Sequence, residues 1–225
     1  MIKTVLLDID NTLLDFNQSA KLTMQKAFDE LGLQYRDEVF ETFLRVNDIL
    51  WKKIERREMT RQELHAVRWW TVFGELGLNA DGDKMERLFL DNLQDFAVPI
   101  DGALDLVKYL SGKYAVFTAS NAPYAQQVKR LTISGIKPYV KGILNFEAIG
   151  VHKPQPQFFE ECLKALSPAK KEEIALIGDS LSADMEGGKS VGFTTIWFNY
   201  AGSDTAATDI CDYVVNSLSE ITNIL

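Results

Sequence analysis

The sequence predicts an α/β fold in which a mainly parallel sheet core carries an inserted all-helical cap domain. Three observations lead to this prediction. The apolar run at residues 4–8 has the composition of a buried strand. Every pattern between Asn17 and about Phe96 is helical, and after Val98 short β-favouring runs alternate with helical stretches, as in sheets covered by helices on both faces. We expect a core at 1–15 and 98–225 and a cap at 16–97.

Four apolar stripes at helical spacing indicate four helices in the predicted cap. Asn17 is a candidate N-cap of the first helix, and Gly32 is its candidate stop. Thr60 and Glu63 have the spacing of a capping box, so the helix that they open is expected to end at Gly77. These signals define where the cap helices begin and end.

The core strands are predicted from short runs of β-favouring residues. After the first strand, these runs lie at 114–120, 142–146, 174–179, 194–199 and 212–216. Helices are expected near 102–111, 123–134, 156–166, 182–190 and 217–224. Because a helix separates most successive strands, the sheet is expected to be mainly parallel.

Composition restricts the classes of partner. The net charge of -8 and the isoelectric point near 4.9 argue against a nucleic-acid polymer, whose phosphates usually meet a basic face. A small anion remains compatible, because a local basic group or a metal overcomes an acidic average. Cys162 and Cys211 match no zinc spacing, and no apolar stretch approaches the ~20 residues that span a bilayer. We expect a soluble, cytoplasmic protein with no membrane partner.

Polar residues follow several of the predicted strands. A single aspartate or serine at such a place is usually a turn former or a helix cap. Here several separate segments place polar groups at the edge where open α/β sheets bind ligands, which favours one shared site. The candidates are Asp8, Asp10, Thr12, Ser120, Asn121, Lys153, Asp179, Ser180 and Asp184.

These residue types match the needs of phosphoryl transfer. Asp8, Asp179 and the backbone near Asp10 offer the hard oxygen ligands that Mg²⁺ prefers. Asp8 could attack phosphorus and form an aspartyl-phosphate, while Asp10 gives a proton to the leaving oxygen and later takes one from water. Lys153 and the Ser120 hydroxyl could hold the phosphate oxygens.

Four motifs carry a resemblance to a known family. They are "DIDNTL" (8–13), "TASNAP" around Ser120, "VHKPQP" around Lys153 and "GDSLSAD" (178–184). In this combination and order the sequence resembles the haloacid dehalogenase-like hydrolase superfamily. The resemblance implies a Rossmann-like core, and the helical insertion is similar to the type-1 caps of the family, which implies a small soluble substrate.

The resemblance also implies roles for individual residues. Asp8 matches the nucleophile and Asp10 the acid/base of the family. The Mg²⁺ ligands would be Asp8, the backbone carbonyl of Asp10, and Asp179, with Asp184 supporting the metal or the lysine. Substrate binding is expected from Ser120, Asn121 and Lys153, and support from Thr12 and Ser180. Thr118 remains an alternative to Ser120 as the hydroxyl that binds phosphate.

The second aspartate distinguishes two branches of the family. Members that are dehalogenases lack it, so Asp10 favours phosphotransfer. The segment from Ser120 to Ile136 and the "HKP" motif resemble bacterial nucleoside 5′-monophosphatases, especially those that act on pyrimidine and non-standard nucleotides. A phosphoglycolate-type or sugar-phosphate phosphatase, a sugar phosphomutase and a non-catalytic phosphate-binding module remain alternatives. The sequence leaves the oligomeric state open.

Aromatic and basic side chains of the predicted cap are candidates for substrate specificity. Tryptophan at helical spacing is usually part of a core, and a run of arginines is usually a solvated face. The alternative is that some of them stack on a base or meet a phosphate. The candidates are Trp51, Trp69, Trp70, Phe73, Arg56, Arg57, Arg61 and Arg68.

Overall fold

The computed structural model describes residues 1–203 and 209–225. The chain forms two compact units: Met1–Phe16 with Ala97–Leu225, and Asn17–Phe96. The first unit contains the sheet and the second contains only helices. The assignment of these units as a catalytic core and a cap for its substrate stays a prediction.

The sheet confirms the predicted α/β class. Within the described residues it has six strands in the order β3-β2-β1-β4-β5-β6, and all neighbouring pairs are parallel. The strands are β1 (Thr4–Leu7), β2 (Ala115–Ser120), β3 (Gly142–Asn145), β4 (Ile174–Gly178), β5 (Thr194–Phe198) and β6 (Tyr213–Val215).

The helices of the first unit connect these strands. They are α5 (Ala103–Ser111), α6 (Tyr124–Ile133), α7 (Phe146–Ile149), α8 (Pro156–Ala165) and α9 (Gly187–Val191). The helical unit contains α1 (Phe16–Leu31, whose first residue belongs to the other unit), α2 (Asp37–Glu55), α3 (Arg61–Glu75) and α4 (Gly82–Leu93). Nowhere in the described ranges does a helix have the length and apolar character needed to cross a bilayer.

β1 is covered on both faces, as its uninterrupted apolar sequence predicts. Successive side chains of a strand point to opposite faces. Val5 and Leu7 belong to one apolar cluster, whereas Leu6 packs in a second cluster with Phe158 of α8. A strand buried in this way cannot keep charged side chains, so the first aspartate follows directly after it.

The helix boundaries are mostly those predicted. Thr60 forms the capping box with Glu63, and Gly77 follows the end of α3 with a φ of 62°. Gly32, with a φ of 68°, ends α1. The prediction that Asn17 caps α1 is wrong, because α1 begins one residue earlier, at Phe16.

Two predicted helices have other geometries. The stretch predicted at 182–190 begins as a wide turn over Leu181–Glu186, in which the N–H of Met185 bonds the carbonyl of Ser180 at 3.1 Å, and only then becomes α9. The stretch predicted at 217–224 is a 3₁₀ helix over Leu218–Asn223.

Candidate functional site

The site lies where β2, β1 and β4 end. These strands are parallel neighbours, so their carboxyl ends meet at one edge of the sheet. Ser120 is the last residue of β2, while Asp8 and Asp179 follow β1 and β4 directly. The sheet order therefore brings together three of the candidates that are far apart in sequence.

Lys153 lies at the centre of the site and is almost completely buried. Its ammonium donates to Asp8 Oδ1 at 2.6 Å, to Asp184 Oδ1 at 2.6 Å and to the carbonyl oxygen of Ala119 at 2.9 Å. An ammonium has three N–H groups, so all of them have a protein acceptor. Burial alone would lower the pKa of Lys153, but the carboxylates of Asp184 and Asp8 outweigh it and raise that pKa, so the ammonium stays charged.

Three carboxylates form a cluster that fits a divalent cation. Asp8, Asp179 and Asp184 each offer an oxygen, and these oxygens lie within 4.8 Å of one another. Burial raises the pKa of Asp8 to about 7, against the opposing effect of Lys153. Burial and the charge of Asp8 raise the pKa of Asp179 well above its ordinary value. One ammonium is therefore too little positive charge for three carboxylates, and hard oxygen donors suit a further cation.

Asp184 is held against the backbone of β4. Its Oδ2 accepts the N–H of Ser180 at 3.2 Å, while Oδ1 accepts from Lys153. Gly178 permits this approach, because a Cβ at that position would lie 2.3 Å from Asp184 Oδ2. The wide turn that follows β4 brings Asp184 back over the end of the strand.

Gly178→Ala is expected to lower the free energy of unfolding by about 1–3 kcal/mol, the usual cost of overpacking a buried position. Urea denaturation measures this change. Gly74→Ala is the matched control, since a Cβ there meets nothing within 4 Å and alanine is favoured over glycine within α3. Equal stabilities of the two variants would contradict the close packing of Asp184 on Gly178.

Ser120 is placed to donate a hydrogen bond. Its Oγ accepts the N–H of Ala122 at 3.1 Å and the side-chain amide of Gln127 at 2.9 Å. Both lone pairs are thus used, and the hydroxyl hydrogen remains for an acceptor such as a phosphate oxygen. Thr118 is completely buried two residues earlier in β2, and its hydroxyl has no hydrogen-bond partner among the described residues.

Asn121 uses its side chain to hold the segment that carries Lys153. Its Oδ1 accepts the backbone N–H of Lys153 at 2.8 Å, and its Nδ2 donates to the backbone carbonyl of the same residue at 3.0 Å. This pair of bonds fixes the Lys153 backbone beside the end of β2. A direct contact of Asn121 with substrate stays a prediction.

Two residues of α6 bind Asp10, which does not belong to the cluster of Asp8, Asp179 and Asp184. Arg130 Nη1 donates to Asp10 Oδ1 at 2.5 Å, and Gln127 Nε2 donates to Oδ2 at 2.8 Å. The sequence analysis did not identify Gln127 or Arg130. The available signal was their spacing of three, which places two large polar side chains on one face of a short helix.

The supporting candidates lie in the two loops of the site. Thr12 is completely buried, and within the described ranges its hydroxyl has no hydrogen-bond partner. Ser180 caps the wide turn, since its Oγ accepts the N–H of Ala183 at 3.0 Å. Asn11 has a φ of 60°, and its side chain accepts the N–H of Phe16, so the loop after β1 turns tightly around Asp10.

Three of the specificity candidates are core residues of the helical unit. Trp69 is 1% exposed and stacks on Phe43 at 5.2 Å. Phe73 is equally buried, and Arg68 forms a bidentate ion pair with Glu86 at 2.6 and 3.1 Å. This burial agrees with the prediction that Trp69 and Phe73 are core residues, whereas Arg68 is buried rather than on a solvated face. The remaining candidates are half-buried or exposed: Trp51, Trp70, Arg56, Arg57 and Arg61.

Three known proteins are similar to this chain over most of its length. YfnB, a HAD-hydrolase of Bacillus subtilis, is 30% identical over 223 residues, which cover 99% of this chain and 95% of YfnB. The pyrimidine 5′-nucleotidase PynA of Streptococcus pneumoniae is 31% identical over 198 residues, covering 88% of this chain and 84% of PynA. The pyrimidine 5′-nucleotidase YjjG of Escherichia coli is 25% identical over 223 residues, covering 98% and 96%.

A crystal structure of one of these relatives, YfnB, is similar to the structure of this chain. The crystal structure of YfnB bound to magnesium matches this chain with a TM-score of 0.94 and 30% identity, covering 100% of this chain and 98% of YfnB. A family profile described as haloacid dehalogenase-like hydrolase matches residues 2–192. These matches confirm the family predicted from the four motifs: the chain belongs to the haloacid dehalogenase-like hydrolases.

Proposed function

We propose that this protein is a Mg²⁺-dependent phosphatase that hydrolyses small phosphomonoesters through a phosphorylated Asp8. Nucleoside 5′-monophosphates, pyrimidine nucleotides first, are the proposed substrates. The observation that carries the proposal is the presence of two aspartates in different surroundings. Asp8 lies in the buried cluster with Lys153, whereas Asp10 lies two residues further on, partly exposed and held by α6.

Asp8 has the surroundings of a nucleophile. Lys153 binds its Oδ1, and among the described residues no hydrogen bond is made to Oδ2. That oxygen can therefore attack phosphorus, while the Lys153 ammonium keeps the other oxygen in place. Lys153 also offsets part of the repulsion between the buried carboxylate and an approaching phosphate dianion.

Asp10 would donate a proton in the first step and accept one in the second. In the first step the bond from Asp8 to phosphorus forms, the ester bond breaks, and a proton passes from Asp10 to the leaving oxygen. In the second step water attacks phosphorus, the bond to Asp8 breaks, and Asp10 takes the proton of the water. The Ser120 hydroxyl would donate to a non-bridging phosphate oxygen during both steps.

Asp8 and Asp179 are the proposed side-chain ligands of Mg²⁺, together with the backbone carbonyl of Asp10. Both oxygens of Asp184 are already bonded, to Lys153 and to the backbone of Ser180, so its proposed role is to support the cluster. When bound, the ion would supply positive charge that neutralises the carboxylates and the transferring phosphoryl group. The magnesium-bound structure of YfnB supports this choice of cation.

The proposed substrate class rests on the relatives. PynA and YjjG are named as pyrimidine 5′-nucleotidases, and both align with most of this chain. At 25–31% identity, these relatives support hydrolysis of a phosphate ester more strongly than they support a particular nucleobase in the substrate. The test is therefore phosphate release, with Mg²⁺ and then with EDTA, from UMP, dUMP, dTMP, AMP, phosphoglycolate, glucose 1-phosphate and 4-nitrophenyl phosphate.

The assay distinguishes four outcomes. Release that needs Mg²⁺ and is fastest with pyrimidine monophosphates supports the whole proposal. Release from the other esters alone keeps the phosphatase and removes the nucleotide assignment. Conversion of glucose 1-phosphate to an isomer without net phosphate release indicates a mutase. No reaction with any ester contradicts the proposed function.

Asp10→Asn is expected to lower kcat for phosphate release by about 10²-fold or more, because the leaving oxygen and the attacking water then lose their proton donor and acceptor. Steady-state phosphate release measures this effect. Asp15→Asn is a comparison in the same loop, where the carboxylate bonds the hydroxyl of Tyr200 at 2.6 Å. Full activity of Asp10→Asn would refute the acid/base assignment.

A further inference from the structure

The carboxylate of Asp10 has a separate donor for each of its oxygens. Arg130 Nη1 bonds Oδ1 at 2.5 Å, and Gln127 Nε2 bonds Oδ2 at 2.8 Å. Two donors on two oxygens fix the rotation of the carboxylate as well as its position. A single bond would leave the group free to turn.

The two donors also contact each other. Arg130 Nη1 donates to Gln127 Oε1 at 3.2 Å, which closes a ring of three side chains with Asp10. Gln127 Nε2 additionally bonds Ser120 Oγ at 2.9 Å. The ring therefore connects the proposed acid/base to the hydroxyl that would hold the phosphate.

Both donors are completely buried. Gln127 and Arg130 are both 0% exposed and, with Leu131, make up the buried face of α6. Burying a guanidinium is costly unless it is well paired. Asp10 has no such need of a partner for its charge, since 28% of its side chain is exposed to water. Asp10 therefore neutralises Arg130, while the effect of the pair on Asp10 itself is to fix its orientation.

We propose that Arg130 and Gln127 are positioning residues that hold Asp10 in the direction in which it exchanges protons with the substrate. Both bond the carboxylate of Asp10, and Gln127 also bonds Ser120 Oγ, so they would act on the substrate through those two residues. This inference rests on the proposed phosphatase function. It assigns α6, through its face of Gln127 and Arg130, a part in both proton transfers.

The leaving group gives a selective test. An alkoxide leaves with the help of a proton, whereas 4-nitrophenolate leaves without one. Arg130→Met is expected to lower kcat/KM for the best alkyl phosphate by about 10–10²-fold and for 4-nitrophenyl phosphate by less than about threefold. KM is expected to stay nearly unchanged, and Arg130→Lys to recover part of the loss because it keeps a charged donor.

A double variant tests whether Arg130 acts through Asp10. If it does, Asp10→Asn with Arg130→Met is expected to be no slower than Asp10→Asn alone. Lys129→Met is the matched control, because it removes the same charge from an exposed position of the same helix. Equal losses on both esters, or additive losses in the double variant, would overturn the inference. If Arg130→Met does not fold, Arg130→Lys is judged by the same criteria with a smaller expected loss.

A measurement without turnover separates the inference from the proposed function. The side-chain ¹⁵N–H resonances of Arg130, identified by their loss in Arg130→Lys, are expected to shift in Asp10→Asn. No shift would overturn the pairing even in an active phosphatase. A clear shift in a protein that hydrolyses no ester would keep the pairing while the proposed function fails.

Discussion

Asp8→Asn is expected to abolish phosphate release, with a fall in kcat on the order of 10⁴-fold or more, while the fold is preserved. The amide removes the oxygen that is proposed to attack phosphorus. Its carbonyl oxygen still accepts a hydrogen bond from Lys153, and the variant loses the repulsion between Asp8 and Asp184. The free energy of unfolding is therefore expected to stay within about 1 kcal/mol of the wild type.

Steady-state phosphate release and urea denaturation of the same samples measure the two effects. Asp105→Asn is the control, because that side chain lies on α5 and is 89% exposed. It is expected to change neither quantity. Retention of even a tenth of the activity in Asp8→Asn would remove Asp8 from the nucleophile's role.

Lys153→Met is expected to affect both stability and activity. It leaves the buried carboxylates of Asp8 and Asp184 without their shared partner, which costs about 3–5 kcal/mol when one member of a buried ion pair is removed. For a chain of this size, the melting temperature is expected to fall by roughly 10 °C. Turnover is expected to fall by about 10²–10³-fold, because the variant loses the charged donor that is proposed to stabilise the phosphate.

Calorimetry with and without Mg²⁺ measures the change in melting temperature. The cation is expected to raise the melting temperature of Lys153→Met more than that of the wild type, because it supplies the missing positive charge. Lys164→Met removes an exposed ion pair with Glu161 and is expected to change the melting temperature little. Identical melting curves for the two variants would contradict the central position of Lys153.

The sequence was most informative about the sheet and the loops at its carboxyl edge. Buried parallel strands are nearly continuous apolar runs, so the polar residues that follow them are conspicuous. Asp8, Ser120 and Asp179 were found in this way, and the parallel order explains why they meet. Lys153 was a candidate because its loop lies between two predicted strands, but a lysine in a loop is usually solvated, and only the fold shows its burial and its bonds to Asp8 and Asp184.

Gln127 and Arg130 were missed because their burial depends on a distant partner. Arginine on a helix is normally solvated, and the spacing of three alone does not reveal which face of α6 is buried. Only the fold brings Asp10 to these side chains, across more than a hundred residues of sequence.

In the helical unit, the sequence alone did not separate core residues from candidates for substrate contact. Trp69 and Arg68 are adjacent, and the sequence favoured a core tryptophan and a solvated arginine, with contact to a base and a phosphate as the alternative. In the structure Trp69 packs among aromatic rings, and Arg68 lies between Glu86 and Asn47. A buried arginine needs partners from other helices, and their positions follow from tertiary packing rather than from local pattern.

Trapping the phosphorylated enzyme tests the proposed chemistry most directly. The protein is quenched with acid during turnover of 4-nitrophenyl phosphate and reduced with borohydride, which converts an aspartyl-phosphate to homoserine. After cleavage at Lys3, mass spectrometry of the peptide that begins at Thr4 identifies the residue at position 8. Homoserine at position 8, formed only with substrate and Mg²⁺ and absent from Asp8→Asn, is the result that we predict. Steady phosphate release without homoserine at position 8 would contradict a covalent intermediate on Asp8.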